Sequence, residues 1–144
     1  MKTSTMGRRR GGARRIGRRG STLIESTMVL LSFVVLMGGM MEVGFTGLIS
    51  NSVSFAAQRA ARYASVRGSA SGHAATAADI QTIARQYATP LNTNALTVTV
   101  TWTPNNSPGS TVQVAVSYAI TPVFLPLAGG PLTLTGTARQ LVVQ

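Results

Sequence analysis

No residue between Thr27 and Met41 carries a charge, and the apolar character resumes after Glu42 with Val43, Phe45, Leu48 and Ile49. A helix needs about 20 mostly apolar residues to cross a hydrocarbon core. The stretch 21–50 reaches that length if Glu25 and Glu42 are placed towards its two edges. No proline interrupts it. Gly38, Gly39, Gly44 and Gly47 weaken a helix in water but let helices pack closely in lipid. The spacing therefore predicts one membrane-spanning helix over 21–50. Composition agrees: only 11% of the residues are charged, against about 25% in an ordinary soluble domain.

The net charge of +10 is concentrated at one end. Lys2, Arg8, Arg9, Arg10, Arg14, Arg15, Arg18 and Arg19 are eight of the 13 basic residues. From Ser21 onward five arginines face three acids, a net charge of +2. Residues 1–19 are too basic and Gly-rich to bury a core, so a disordered leader is expected there. Either Met1 or Met6 fits as its start. Clustered arginine stays on the cytoplasmic side of a membrane helix, so everything beyond about residue 51 is expected on the far side.

The apolar helix is expected to run on through 51–67, where Val53, Ala56, Ala57, Ala60 and Ala64, joined by Tyr63, recur at three- and four-residue steps. Gly68 reads as its stop. A small-residue linker covers 68–77. A second, short helix fits 77–88, with Asp79 near its positive end and Ile80, Ile83, Ala84 and Tyr87 as its apolar face. Pro90 follows. Ala95–Trp102 alternates strictly, as does Thr111–Ile120, with turn-rich TPNNSPGS between them, which predicts an antiparallel hairpin. Pro122, Pro126, Gly129, Gly130 and Pro131 mark an irregular excursion. Leu132–Val143 supplies a third strand, with a bend expected at Gly136. The expected fold is α+β: a long amino-terminal helix, a short second helix and a roughly three-stranded antiparallel sheet. The expected organisation is a leader over 1–20, a transmembrane helix over 21–50 and an exported domain over 51–144.

The chemistry is concentrated at Arg18-Arg19-Gly20-Ser21-Thr22-Leu23-Ile24-Glu25. A basic leader ends in Gly, Glu lies five positions beyond it, and a long apolar helix follows. This arrangement resembles the processing site of type IV prepilins. The resemblance implies cleavage after Gly20 by a membrane prepilin peptidase on the cytoplasmic face, and Ser21 as the new amino terminus. It also implies that Glu25 pairs with the free amine of a neighbouring subunit. An acid in an otherwise apolar membrane helix is costly, about 2.5–3.5 kcal/mol at the bilayer centre and less near an edge. Such a residue is therefore a functional candidate. The bland alternative is an interfacial acid favoured by the helix dipole.

Ser21 and Ser26 depart from the residues usual at those places in major pilins and Flp pilins. Beyond the apolar run stands Ala57-Gln58-Arg59-Ala60-Ala61-Arg62-Tyr63-Ala64. An Ala-Ala-Arg-x-Ala element in that position, together with the Val112-x-Val114-x-Val116-x-Tyr118 strand and the later Pro122 and Pro126, resembles the TadE-like family. That resemblance implies a minor pilin or pseudopilin of a tight-adherence (Tad/Flp) pilus system in the bacterial inner membrane. Its partners would be the peptidase and other pilin subunits.

Arg59 and Arg62 fit a solvated helix face just outside the membrane, or an ion pair with Glu42 or Asp79. Glu42 lies about 25 Å beyond Glu25 along a helix, which would set the two acids near opposite faces of a bilayer. His73 is the sole histidine and no cysteine is present, so neither a metal site nor thiol chemistry is expected. No cofactor is implied. Trp102 and Tyr118 read as core residues. The Arg-rich arm could attract phosphate, but it lacks interleaved aromatics and abuts a membrane helix, so no nucleic-acid partner is expected. No paired carboxylates, nucleophile–base pair or phosphate loop marks an enzyme. A conventional signal peptide stays open as the alternative, with Ser54-Phe55-Ala56 as its small-x-small triplet.

Overall fold

A computed structural model describes residues 17–89, 91–123 and 130–143. The expectations for the leader before Gly17, for Pro90, and for Pro126 and Gly129 lie outside the described residues. The chain divides into two compact units, residues 1–37 and 38–144. One helix, α1 (Gly17–Ser65), is continuous through both. Several of its hydroxyl side chains bond back to the helix itself. Ser26, Thr27 and Ser32 each donate to the carbonyl four residues earlier, at 2.8–2.9 Å, and Thr46 and Ser52 do the same. Such back-bonding satisfies these hydroxyls without water, as an apolar environment demands.

In the unit from Gly38 onward, three strands form an antiparallel meander in the order β1 (Leu96–Thr103), β2 (Thr111–Ile120), β3 (Leu132–Leu141). The alternation seen in the sequence sorts the side chains onto two faces. Threonines, Gln113, Ser117 and Arg139 face out, with Arg139 Nε donating to Gln113 Oε1 at 2.7 Å. Facing in are the aligned rows Val100–Val114–Ala138 and Val98–Val116–Gly136. Side-chain size falls along each row towards β3. The carboxy-terminal half of α1 occupies the space this leaves.

That half of α1 presents an alanine-rich face to the core. Ile49, Val53, Ala56, Ala57, Ala60, Ala61 and Ala64 are fully buried, together with Val112, Val114 and Val116. The closest approach is at Gly136. A methyl group placed there would stand 2.6 Å from Ser54 Cα and N and 2.7 Å from Val53 C. Gly136 is therefore not a bend. The strand runs through it in register with Val116, and its missing side chain lets β3 touch the helix backbone. Val143 N–H donates to the Ser65 carbonyl at 2.9 Å, tying the strand end to the last residue of α1.

Helix α2 (Ala77–Tyr87) buries Ile80 and Ala84 and neighbours β1, where the Gln81 amide reaches the Val98 carbonyl at 3.5 Å. Its start is a complete capping box. The Thr76 hydroxyl accepts from Asp79 N–H at 3.2 Å, and the Asp79 carboxylate accepts from Thr76 N–H at 3.0 Å. The Thr76 hydroxyl and backbone bonds, with a smaller contribution from Arg67, hold the Asp79 carboxyl below its ordinary value of 3.8. A depressed carboxyl contributes stability that is present above its unfolded value and lost as pH falls through its folded value. The protection of the Ile80 amide, its exchange relative to the intrinsic rate, is therefore expected to fall below about pH 4 and to lose that pH step in Asp79→Asn. Thr76→Ala should cost about 1 kcal/mol near neutral pH and shrink that pH step, because the Thr76 hydroxyl is the first cause of the lowered Asp79 carboxyl.

Two boundaries shift from the sequence reading. Helix α1 ends at Ser65, three residues before Gly68, and Gly68 has no left-handed backbone; that conformation belongs to Gly72, Gly109 and Gly130. Strand β1 runs over Leu96–Thr103, preceded by a short 3-10 turn at Thr93–Ala95 capped by Asn92.

Candidate functional site

The described part of the first unit is helix alone, and from Leu23 to Met37 it exposes apolar side chains on every face. Leu23, Ile24, Met28, Leu30, Leu31 and Leu36 are each 62–70% exposed. A helix hydrophobic all round requires lipid or other helices to cover it. This is the one helix, among the described residues, long and apolar enough to cross a membrane. Its character is that of a membrane anchor.

Gly20 and Ser21 lie exposed near its start, and nothing comes within 4 Å of where a Gly20 side chain would stand. Glu25 is also exposed and shares one helix face with Val29 and Phe33, four and eight residues on. Its carboxylate thus projects from an otherwise greasy stripe. Ser26 turns its hydroxyl back to the Thr22 carbonyl, so it adds little polarity to that stripe.

Glu42 is in the second unit and is half-buried. Its carboxylate accepts the backbone N–H of Val123, just beyond the end of β2. Sequence reasoning missed this long-range contact, because nothing local marks Val123 as a donor. Arg59 stacks over the rings of Phe55, 4.9 Å from its centroid, and Tyr87, 5.7 Å away, while the two rings meet edge to face at 6.1 Å. The cluster staples α2 to α1. The four-residue step from Phe55 to Arg59 was its only sequence signal. Arg62 is exposed in the last turn of α1, where a cation suits the helix dipole. The structure thus separates the candidates: Glu25 in one unit, and Glu42, Arg59 and Arg62 at successive levels of α1 in the other.

His73 is exposed in the linker, and no cluster of three metal-ligating side chains occurs among the described residues. Trp102 and Tyr118 are half-buried against the core.

An apolar helix opening at Gly20 with an acid at Glu25, followed by an Ala-rich stripe laid on a sheet, is the combination that comparison with protein families can test. Residues 20–62 match the family of TadE-like proteins. The matched segment begins at Gly20 and takes in Glu25, Glu42 and the Ala-Ala-Arg element up to Arg62. No curated protein and no solved structure matches the chain.

Proposed function

We propose that this protein is a minor pilin or pseudopilin of a Tad/Flp pilus system, cut after Gly20 by a prepilin peptidase and acting in pilus assembly or as a minor filament component. The observation that carries the reading is the TadE-like match over 20–62 on a helix whose first unit is apolar all round. Cleavage would remove the cluster of basic residues and create an amine at Ser21. Glu25 would then accept that amine from a neighbouring subunit, pairing two charges that are each costly in lipid. The leader would keep the amino terminus cytoplasmic and set the domain beyond about residue 51 on the periplasmic side of the inner membrane. Partner subunits of the same system would cover the exposed apolar faces of α1.

The test is co-expression with and without a prepilin peptidase, read by intact mass and amino-terminal sequencing. The expected product has lost residues 1–20 and begins at Ser21. A product beginning at Ala57 would instead support a conventional signal peptide, and an uncut chain a plain membrane anchor. Either result overturns the processing proposal.

A further inference from the structure

The folded unit opens at Gly38, well before the expected membrane exit near residue 50. From Ser21 to Met37 a helix rises about 25 Å, while the hydrocarbon core is about 30 Å thick. The next turn of α1 must make up the difference, and that turn already belongs to the folded unit. Gly38 and Ile49 are buried, and Glu42 and Thr46 half-buried, on the inward face of this stretch. Outward it shows Met40, Met41, Val43 and Phe45, 58–75% exposed. Alongside lies an open groove of about 600 Å³, walled by Met41, Phe45, Leu48, Ile120, Pro122 and Val123. Val123 is 77% exposed.

Two features fit this corner to lipid rather than to water. First, no charged residue occurs from Val43 to Gln58 or from Gln86 to Ala138. Second, the one carboxylate in the groove, Glu42, receives the Val123 backbone N–H. A backbone donor beyond a strand end would normally be left to water; hydrocarbon requires that it find a protein partner.

We infer that the corner formed by Met41, Phe45, Leu48, Ile120, Pro122 and Val123 sits in the membrane leaflet on the folded unit's side, with lipid acyl chains in its groove. This rests on the membrane-anchor reading of α1 and extends it to the sheet. The sheet then stands on the bilayer at a fixed depth, with Ile120–Val123 as its foot.

The chain contains no cysteine, so single-cysteine labelling has no background. Val123→Cys, Phe45→Cys, Leu31→Cys and Thr99→Cys would be labelled with a fluorophore in the full chain. Each would be reconstituted in vesicles of phosphatidylethanolamine and phosphatidylglycerol carrying bromine near or far from the headgroup. Unchanged Trp102 emission would show that each variant is folded. The expected result is quenching at positions 45 and 123 several-fold stronger than at 99, and greatest with shallow bromine, while position 31 responds best to deep bromine. A charged maleimide should react several-fold more slowly at 45 and 123 than at 99. If 31 is quenched but 45 and 123 behave like 99, the lipid contact is wrong and the anchor stands. If 31 is not quenched either, both fail. Protection at 45 and 123 that disappears when protein is diluted in lipid would assign the groove to a second copy and also overturn the inference.

Discussion

Gly136→Ala is expected to unfold the second unit at markedly lower denaturant than the parent chain. The added methyl would meet Ser54 Cα and N at 2.6 Å and Val53 C at 2.7 Å, all backbone atoms of α1. No side chain can rotate aside to admit it. The helix would have to lift from β3, opening the core that its buried alanines share with Val114 and Ala138. Overpacking a core costs about 1–3 kcal/mol, occasionally more, and a backbone obstacle puts this site at or above the upper end. Domains of this kind hold only about 5–15 kcal/mol in total. A loss near 3 kcal/mol would lower the midpoint of thermal unfolding by about 10–20 °C. The measurement is Trp102 fluorescence of the full chain in detergent micelles. Gly44→Ala is the control, because its methyl meets nothing within 4 Å. An unchanged midpoint for Gly136→Ala would mean that α1 and β3 do not approach as described.

Gly136 also shows where the sequence stops being informative. The period-two runs announced β1 and β2, and the three- and four-residue steps of Val53, Ala56, Ala57, Ala60 and Ala64 announced the buried face of α1. These signals are local, so they survive without a structure. A mid-strand glycine, by contrast, reads equally as a bend or as a close approach. Only the register with Val116, and the helix lying over it, decide between them. The same holds for Val123 and Glu42, 81 residues apart. Their contact depends on how the β2 end meets α1, which no periodicity encodes. The Phe55–Arg59–Tyr87 cluster is intermediate: half of it lies on one helix face, and the other half arrives with α2. At the candidate processing site the balance is reversed. Gly20, Ser21 and Glu25 form a linear pattern that the sequence displays in full, and an exposed helix adds only the face on which Glu25 projects.

On the proposed assembly, Glu25→Ala should be processed like the parent chain and yet fail to associate with partner subunits. The proposed cut lies at Gly20–Ser21, one helical turn before Glu25, so the mass loss should persist. Association is different. Each incoming subunit would bring a Ser21 amine into an apolar bundle, and without Glu25 that charge has no counter-ion. Breaking a buried ion pair by removing one partner costs about 3–5 kcal/mol, which is about two to three and a half decades in association. Cross-linking to partner pilins in membranes would read the loss directly. Glu25→Gln separates two origins of the effect. If the carboxylate acts as a charge, Gln fails as Ala does; if it merely accepts a hydrogen bond, Gln restores association. Blocking cleavage by a bulky residue at Gly20 withholds the amine and should produce the same defect. The two changes remove opposite halves of one pair, so the double variant should be no worse than either alone, the non-additivity that marks a direct interaction. Wild-type cross-linking by Glu25→Ala would remove Glu25 from the assembly mechanism, and additive defects would show that the amine and the carboxylate act separately.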